Sequence, residues 1–218
     1  MKNKLNPPKY ICITGLDGSG KTTAIDEVIN IINNKKSYKV YKISIWDIFN
    51  NSQFSKVFTV KNKSIVDEYL QKLSPLARTF FLFHCLGQAI HMANQVEADF
   101  YLIDSYWYKY YATEIAHGIS PKKIDPVIKN FPKCDLVFYL NISPAKAYSR
   151  KKRVSKYEVG FKTDNIQENY MLFQEKVREI FNDLKRKNKW VSLNGSKPEK
   201  DLAKQIVKKI NIYLRNIK

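Results

Sequence analysis

The run YICITG (Tyr10 to Gly15) breaks directly into GLDGSGKT (Gly15 to Thr22), and a helix-compatible stretch follows from Lys21 to Asn33. The eight residues satisfy G-x-x-x-x-G-K-[ST] in full, between a strand and a helix, which is the context this motif requires. Gly15, Gly18 and Gly20 let the backbone curl so that successive N–H groups, Ser19 included, face phosphate oxygens. The opening of the helix adds its positive end. In this arrangement Lys21 reaches the β- and γ-phosphates, the Thr22 hydroxyl ligates Mg²⁺, and Thr23 completes the turn. A segment of this kind binds a nucleotide and places the chain among α/β folds with a parallel sheet.

The rest of the chain repeats that alternation. Lys39 to Ile45, Phe100 to Asp104, Leu136 to Ile142 and KWVSL near the C-terminus read as four further strands, apolar almost throughout. Helical stretches separate them: about Ile65 to Val96 with a break at Ser74-Pro75, Tyr106 to His117, two pieces around Pro121 and Pro126, one opening at Pro144, Asp164 to Lys187, and Pro198 to Asn216. Apolar strands separated by helices predict a five-stranded parallel sheet covered on both faces, with ligands at the carboxyl ends of its strands. No linker or internal repeat divides residues 1–218, so a single domain is expected.

Composition narrows the class. The chain is 44% hydrophobic and 13% aromatic, which fits a packed fold and excludes a disordered one. No apolar run approaches the length of a membrane span, and the basic N-terminus leads into too short an apolar stretch for a secretory signal, so a cytoplasmic location is expected. Cys12, Cys85 and Cys134 sit in apolar runs without metal-ligand spacing and read as buried thiols. Thirty-eight basic against 20 acidic residues give a net charge of +18, which attracts polyanions. The lysines are scattered along helix faces, and no basic stripe interleaved with aromatics is present, which argues against a nucleic-acid-binding or end-phosphorylating protein. The fourth strand runs into Asn141-Ile142-Ser143-Pro144 rather than a guanine-reading N-K-x-D, which argues against a GTPase and leaves a small phosphotransferase.

Taken in order, ITGLDGSGKTT, LFHCLGQAIH (Leu82 to His91), LIDSYWYKYYA, CDLVFYLNISPAKAYSRKKR and WVSLNGSKPEKDLAKQI resemble the thymidylate kinase family of nucleoside monophosphate kinases across the whole chain. The resemblance implies the P-loop kinase fold with a basic lid at about residues 150–163, ATP and Mg²⁺ on the donor side, and a nucleotide-like small-molecule acceptor. It also implies a homodimer through the long helices. Residue by residue, it implies that Asp17 bonds the acceptor sugar hydroxyl and Phe83 stacks on its base. Asp104 would stand beside the metal and the acceptor phosphate, with Arg150 and Arg153 as lid cations and Asn194 and Gly195 near the adenine.

The sequence departs from that family at the acceptor phosphate. Ser105 follows Asp104 where an arginine is expected, Gly87 stands four residues after Phe83 in place of another, and ISIWDIFNN carries none. Lys109, Lys56 and Arg78 are the replacement cations the sequence offers. Trp46, Tyr106, Trp107 and Tyr108 are candidate walls for an acceptor. The plain alternative for each is packing: Asp104 as a helix cap, Phe83 and the aromatics as core. Two acceptor classes therefore stay open, a nucleoside monophosphate as in dTMP + ATP to dTDP + ADP, and a nucleoside or another small hydroxyl or phosphate acceptor.

Overall fold

Five apolar runs become five parallel strands in the order β2-β3-β1-β4-β5. The computed structural model describes residues 8–50 and 63–217. The strands are β1 (Lys9–Gly15), β2 (Val40–Ile43), β3 (Phe100–Asp104), β4 (Leu136–Asn141) and β5 (Val191–Asn194). β1 is central: Ile13 pairs with Asp104 of β3 on one side and with Phe138 of β4 on the other.

The helices are α1 (Lys21–Asn34), α2 (Asp47–Asn50), α3 (Lys63–Lys72), α4 (Pro75–Ala93), α5 (Tyr106–Ala116), α6 (Pro121–Ile128), α7 (Pro144–Ser149), α8 (Ile166–Asn188) and α9 (Glu199–Asn216), with a 3₁₀ turn at Lys156–Val159.

Successive side chains of a strand leave opposite faces of the sheet, and each face here is buried. Ile11, Ile13, Phe100, Leu102, Phe138 and Leu140 join a core with Ala24, Ile25, Val28 and Ile32 of α1 and Leu202, Ile206 and Ile210 of α9. Cys12, Tyr101, Ile103, Val137 and Tyr139 face the other way, into a second core with α4, α5 and α8. The α1 positions recur at helical spacing, so one stripe of that helix is apolar, and each such side chain contributes about 1.5–3 kcal/mol on burial. This is the five-stranded parallel α/β architecture that the sequence predicts.

Two details differ from the sequence expectation. β2 ends at Ile43, because the Ser44 amide turns to bond Asp47 Oδ2 at 2.8 Å and starts the short helix α2. Asp47 serves that turn, and burial raises its carboxyl. The region of Pro121 and Pro126 is one helix, α6. Pro121 takes the first turn, where its missing N–H costs nothing, and Pro126 removes one bond near the other end. All three cysteines are buried free thiols, and among the described residues no helix is long and apolar enough to cross a membrane.

Candidate active site

The phosphate loop connects β1 to α1, and its glycines adopt backbone that side chains resist. Gly18 has φ 81° and Gly20 φ 86°. A Cβ on Gly18 would fall on the Ala147 carbonyl oxygen and within 3.1 Å of Lys151 Cγ, so α7 and the residues after it close directly over the loop. No side chain caps α1, and the buried Ser19 Oγ has no hydrogen-bond partner. Both features suit an anion held at the helix N-terminus. Lys21 lies inside, its Nζ donating to Leu16 O at 2.6 Å. Burial pushes its ammonium down to about 8, with Asp17 opposing the drop and Lys109 adding to it.

Asp104 ends β3 beside this loop. Its Oδ2 accepts from Thr22 Oγ1 at 3.0 Å and its Oδ1 from Ser105 Oγ at 2.8 Å, so both carboxylate oxygens are held. Ser105 and Tyr106 take φ values of 73° and 52°, an unfavourable backbone for residues with side chains. The Ser105 N–H bonds Ile13 O at 2.9 Å and Thr14 Oγ1 bonds Ser105 O at 3.2 Å, which secures the turn. Among the described residues no group of three His, Cys, Asp or Glu could hold a metal. The Thr22–Asp104 pair nonetheless suits Mg²⁺, which keeps most of its shell as phosphate oxygens and water and takes few protein ligands.

Above the loop lies a cleft of about 520 Å³, which Asp17, Trp46, Asp104, Ser105, Lys109 and Arg153 help to line. Gly18, Gly20, Lys21, Thr22, Thr23 and Arg150 also line it. Leu70, Leu82, Tyr110 and Tyr157 form apolar and aromatic walls that the sequence alone does not mark. Asp17 bonds Lys109 Nζ at 2.5 Å, and its carbonyl accepts from the Tyr170 hydroxyl. Burial alone would raise the Asp17 carboxyl, but Lys109, then Lys21 and Lys151, hold it well below the ordinary range.

Several candidates lie elsewhere. Arg78 is buried in the second core, its Nε and guanidinium NH2 fastened to Glu114 at 3.0 Å. Thr79 and Tyr157 donate to the same carboxylate at 3.0 and 2.8 Å. Arg78 is therefore a structural cation and does not line the cleft. Phe83 is 4% exposed and packs on Phe131, so Leu82, one position earlier, takes the cleft-facing side of α4. Tyr108 packs on Trp190 at 4.6 Å, and Tyr106 is buried with its hydroxyl on Pro132 O. Trp107 packs at a tilt against Tyr108, away from the cleft. Asn194 and Gly195 lie beside rather than in the cleft, and Arg150 donates to the Gly195 and Ser196 carbonyls at 2.7 and 3.3 Å. Lys56 lies outside the described residues.

Residues 150–158 contribute the roof. Lys151 pairs with Glu158 at 2.9 Å, and Ser155 and Glu158 form a capping box around the 3₁₀ turn. Gln174 Nε2 of α8 donates to the Glu158 carbonyl at 3.0 Å.

A parallel sheet, a phosphate loop, a strand-end aspartate and a basic roof are shared by many nucleotide kinases. The family model for thymidylate kinase matches residues 13–206. The chain belongs to the thymidylate kinase family. Its relatives include the probable thymidylate kinase of Sulfurisphaera tokodaii, 27% identical over 202 residues that cover 92% of this chain and 94% of that protein. The thymidylate kinase of Prochlorococcus marinus strain MIT 9312 is 26% identical, over 91% and 93% of the two chains. That of Leptospira interrogans serovar Lai is 25% identical over 227 residues, 100% of this chain and 98% of the other. Thymidylate kinases are phosphotransferases, and the match extends from the phosphate loop into the last helix.

Proposed function

We propose that the chain transfers the γ-phosphoryl group of ATP to the phosphate of a nucleoside monophosphate, dTMP giving dTDP and ADP. The observation that carries the reading is the joining of Thr22 and Asp104 at 3.0 Å, in one cleft with Lys21, in a chain of the thymidylate kinase family.

In the reaction an acceptor phosphate oxygen forms a P–O bond to the γ-phosphorus. The bond from the γ-phosphorus to the bridging oxygen breaks, and ADP leaves with the electron pair. The protein's task is positioning and charge neutralisation. Lys21 and the amides of residues 18–22 hold the donor phosphates. Thr22 and Asp104 would hold Mg²⁺, which when bound neutralises charge on the phosphates. Ser105 steadies Asp104 by its hydrogen bond to Oδ1. Arg150, held at the Gly195 and Ser196 carbonyls, borders the adenine side, and Arg153 stands at the rim where the roof meets the transferring group. Trp46, Leu70, Leu82 and Tyr110 are the surfaces available to the acceptor base, and Asp17 is the acceptor for its sugar hydroxyl.

The test is ADP release by the wild-type protein with ATP, Mg²⁺ and a panel of nucleoside monophosphates and free nucleosides. Stimulation by dTMP well above basal ATP hydrolysis is expected. A flat response to every monophosphate, with stimulation by a nucleoside, would replace this reading with that of a nucleoside kinase.

A further inference from the structure

Six basic side chains line the cleft: Lys21, Lys109, Arg150, Lys151, Lys152 and Arg153. Lys21 rests on Leu16 O inside the phosphate loop, Arg150 holds Gly195 and Ser196, and Lys151 pairs with Glu158. Lys152 and Arg153 are exposed at the rim. Lys109 differs in origin. It rises near the start of α5 and lines the cleft together with Ser105 and Asp104. Its side chain is 19% exposed and that of its partner Asp17 is 12% exposed. Ser105 brings no charge, and Arg78 is consumed by Glu114.

We propose that Lys109 is the cation that receives the acceptor's phosphate, and that its ion pair with Asp17 selects acceptors carrying both a phosphate and a sugar hydroxyl. This rests on the nucleoside monophosphate reading above and names the group that would enforce it. Separating a mostly buried ion pair without new partners leaves two uncompensated charges. A nucleotide supplies both partners: its phosphate takes the Lys109 ammonium in a charge-assisted bond, and its sugar hydroxyl donates to the Asp17 carboxylate. A free nucleoside supplies only the hydroxyl, so nothing offsets the loss of the Lys109 contact and the pair stays shut. Lysine suits the exchange because its ammonium is a point charge with three donors on a flexible stem, and it can swing from carboxylate to phosphate. Burial opposes charge on Lys109, but Asp17 and then Tyr110 keep its ammonium above the ordinary lysine range, so it is cationic when the acceptor arrives.

The experiment is steady-state kinetics with dTMP and thymidine on wild type, Lys109→Met, Lys109→Arg and the double variant Asp17→Asn/Lys109→Met. In Lys109→Met the KM for dTMP is expected to rise about a hundredfold, the scale for truncating one partner of a buried charge pair. The KM for ATP should move less than about threefold, and the preference for dTMP over thymidine should fall with the dTMP term. Lys109→Arg, which keeps the charge, should recover part of the loss and guards against a folding defect in the methionine variant. The double variant should stay as poor as Lys109→Met, because the phosphate contact is still missing. If Lys109 only neutralises Asp17, removing the carboxylate as well would lower the dTMP KM well below that of Lys109→Met, and such a recovery would overturn the proposal. An unchanged dTMP KM in Lys109→Met, or an equal rise in the KM for ATP, would overturn it as well. A wild-type protein inert toward every monophosphate is a separate result, which removes the proposed function itself.

Discussion

Thr22 Oγ1 donates a 3.0 Å hydrogen bond to Asp104 Oδ2, tying the first turn of α1 to the carboxyl end of β3. Ser105 fixes the other oxygen of the same carboxylate. The side chains that would flank Mg²⁺ are thus set by the first turn of α1, the end of β3 and one strained turn. Asp104→Asn keeps the size and one acceptor but loses the charge. It is expected to lower kcat by about 10²–10³-fold, read as ADP release with dTMP. The unfolding free energy measured in urea should change by no more than about 1 kcal/mol. Turnover within a few fold of wild type would remove Asp104 from the reaction.

Lys21 gives a pH dependence. Burial holds its ammonium down to about 8, below the ordinary lysine value, so it is cationic below that pH and neutral above it. Donor phosphates need the cation. The value of kcat/KM for ATP reports ionisations in the free enzyme, and it is expected to be level on the acid side of about pH 8 and to fall roughly tenfold per unit above it. A profile level through pH 9.5 would show that Lys21 stays charged.

Arg78 and Glu114 make a stability prediction. Their side chains are 4% and 0% exposed, and Glu114 also accepts from Thr79 and Tyr157. Glu114→Ala strands a buried guanidinium together with the Tyr157 hydroxyl, while Thr79 keeps the Pro75 carbonyl as its acceptor. It should cost about 3–5 kcal/mol in denaturant unfolding. A loss below about 1 kcal/mol would mean that the network is not formed in solution.

Two glycines with positive φ separate backbone preference from close packing. Gly118 has φ 96° with open space around it, and Gly118→Ala is expected to cost about 1–2 kcal/mol of stability and no activity. Gly18→Ala adds a collision with the Ala147 carbonyl and should abolish ATP binding, measured by calorimetry. Equal behaviour of the two variants would contradict the packing of α7 on the phosphate loop.

Much of this molecule is legible from local pattern. The phosphate loop carries its own strand and helix, and apolar runs mark all five strands to within two residues at each end. What was not legible depends on direction rather than on residue type. α5 leaves a turn in which Ser105 and Tyr106 both have positive φ, and that turn sets which side of the helix meets the cleft. Lys109 and Tyr110 face it, while Tyr108 packs on Trp190. In the aromatic stretch YWYKYY nothing in composition separates one tyrosine from the next. Leu82 and Phe83 repeat the problem on α4, where one residue rotates a side chain by about 100° around the helix axis. Arg78 could not be assigned because its partner lies 36 positions away on another helix.

The most direct measurement follows the label. Wild-type protein is incubated with Mg²⁺, dTMP and ATP labelled in the γ-phosphoryl group, and the products are separated. The account predicts label in dTDP, stoichiometric with ADP and absent from the Lys21→Ala protein. Label recovered only as inorganic phosphate, with dTMP unchanged, would contradict it.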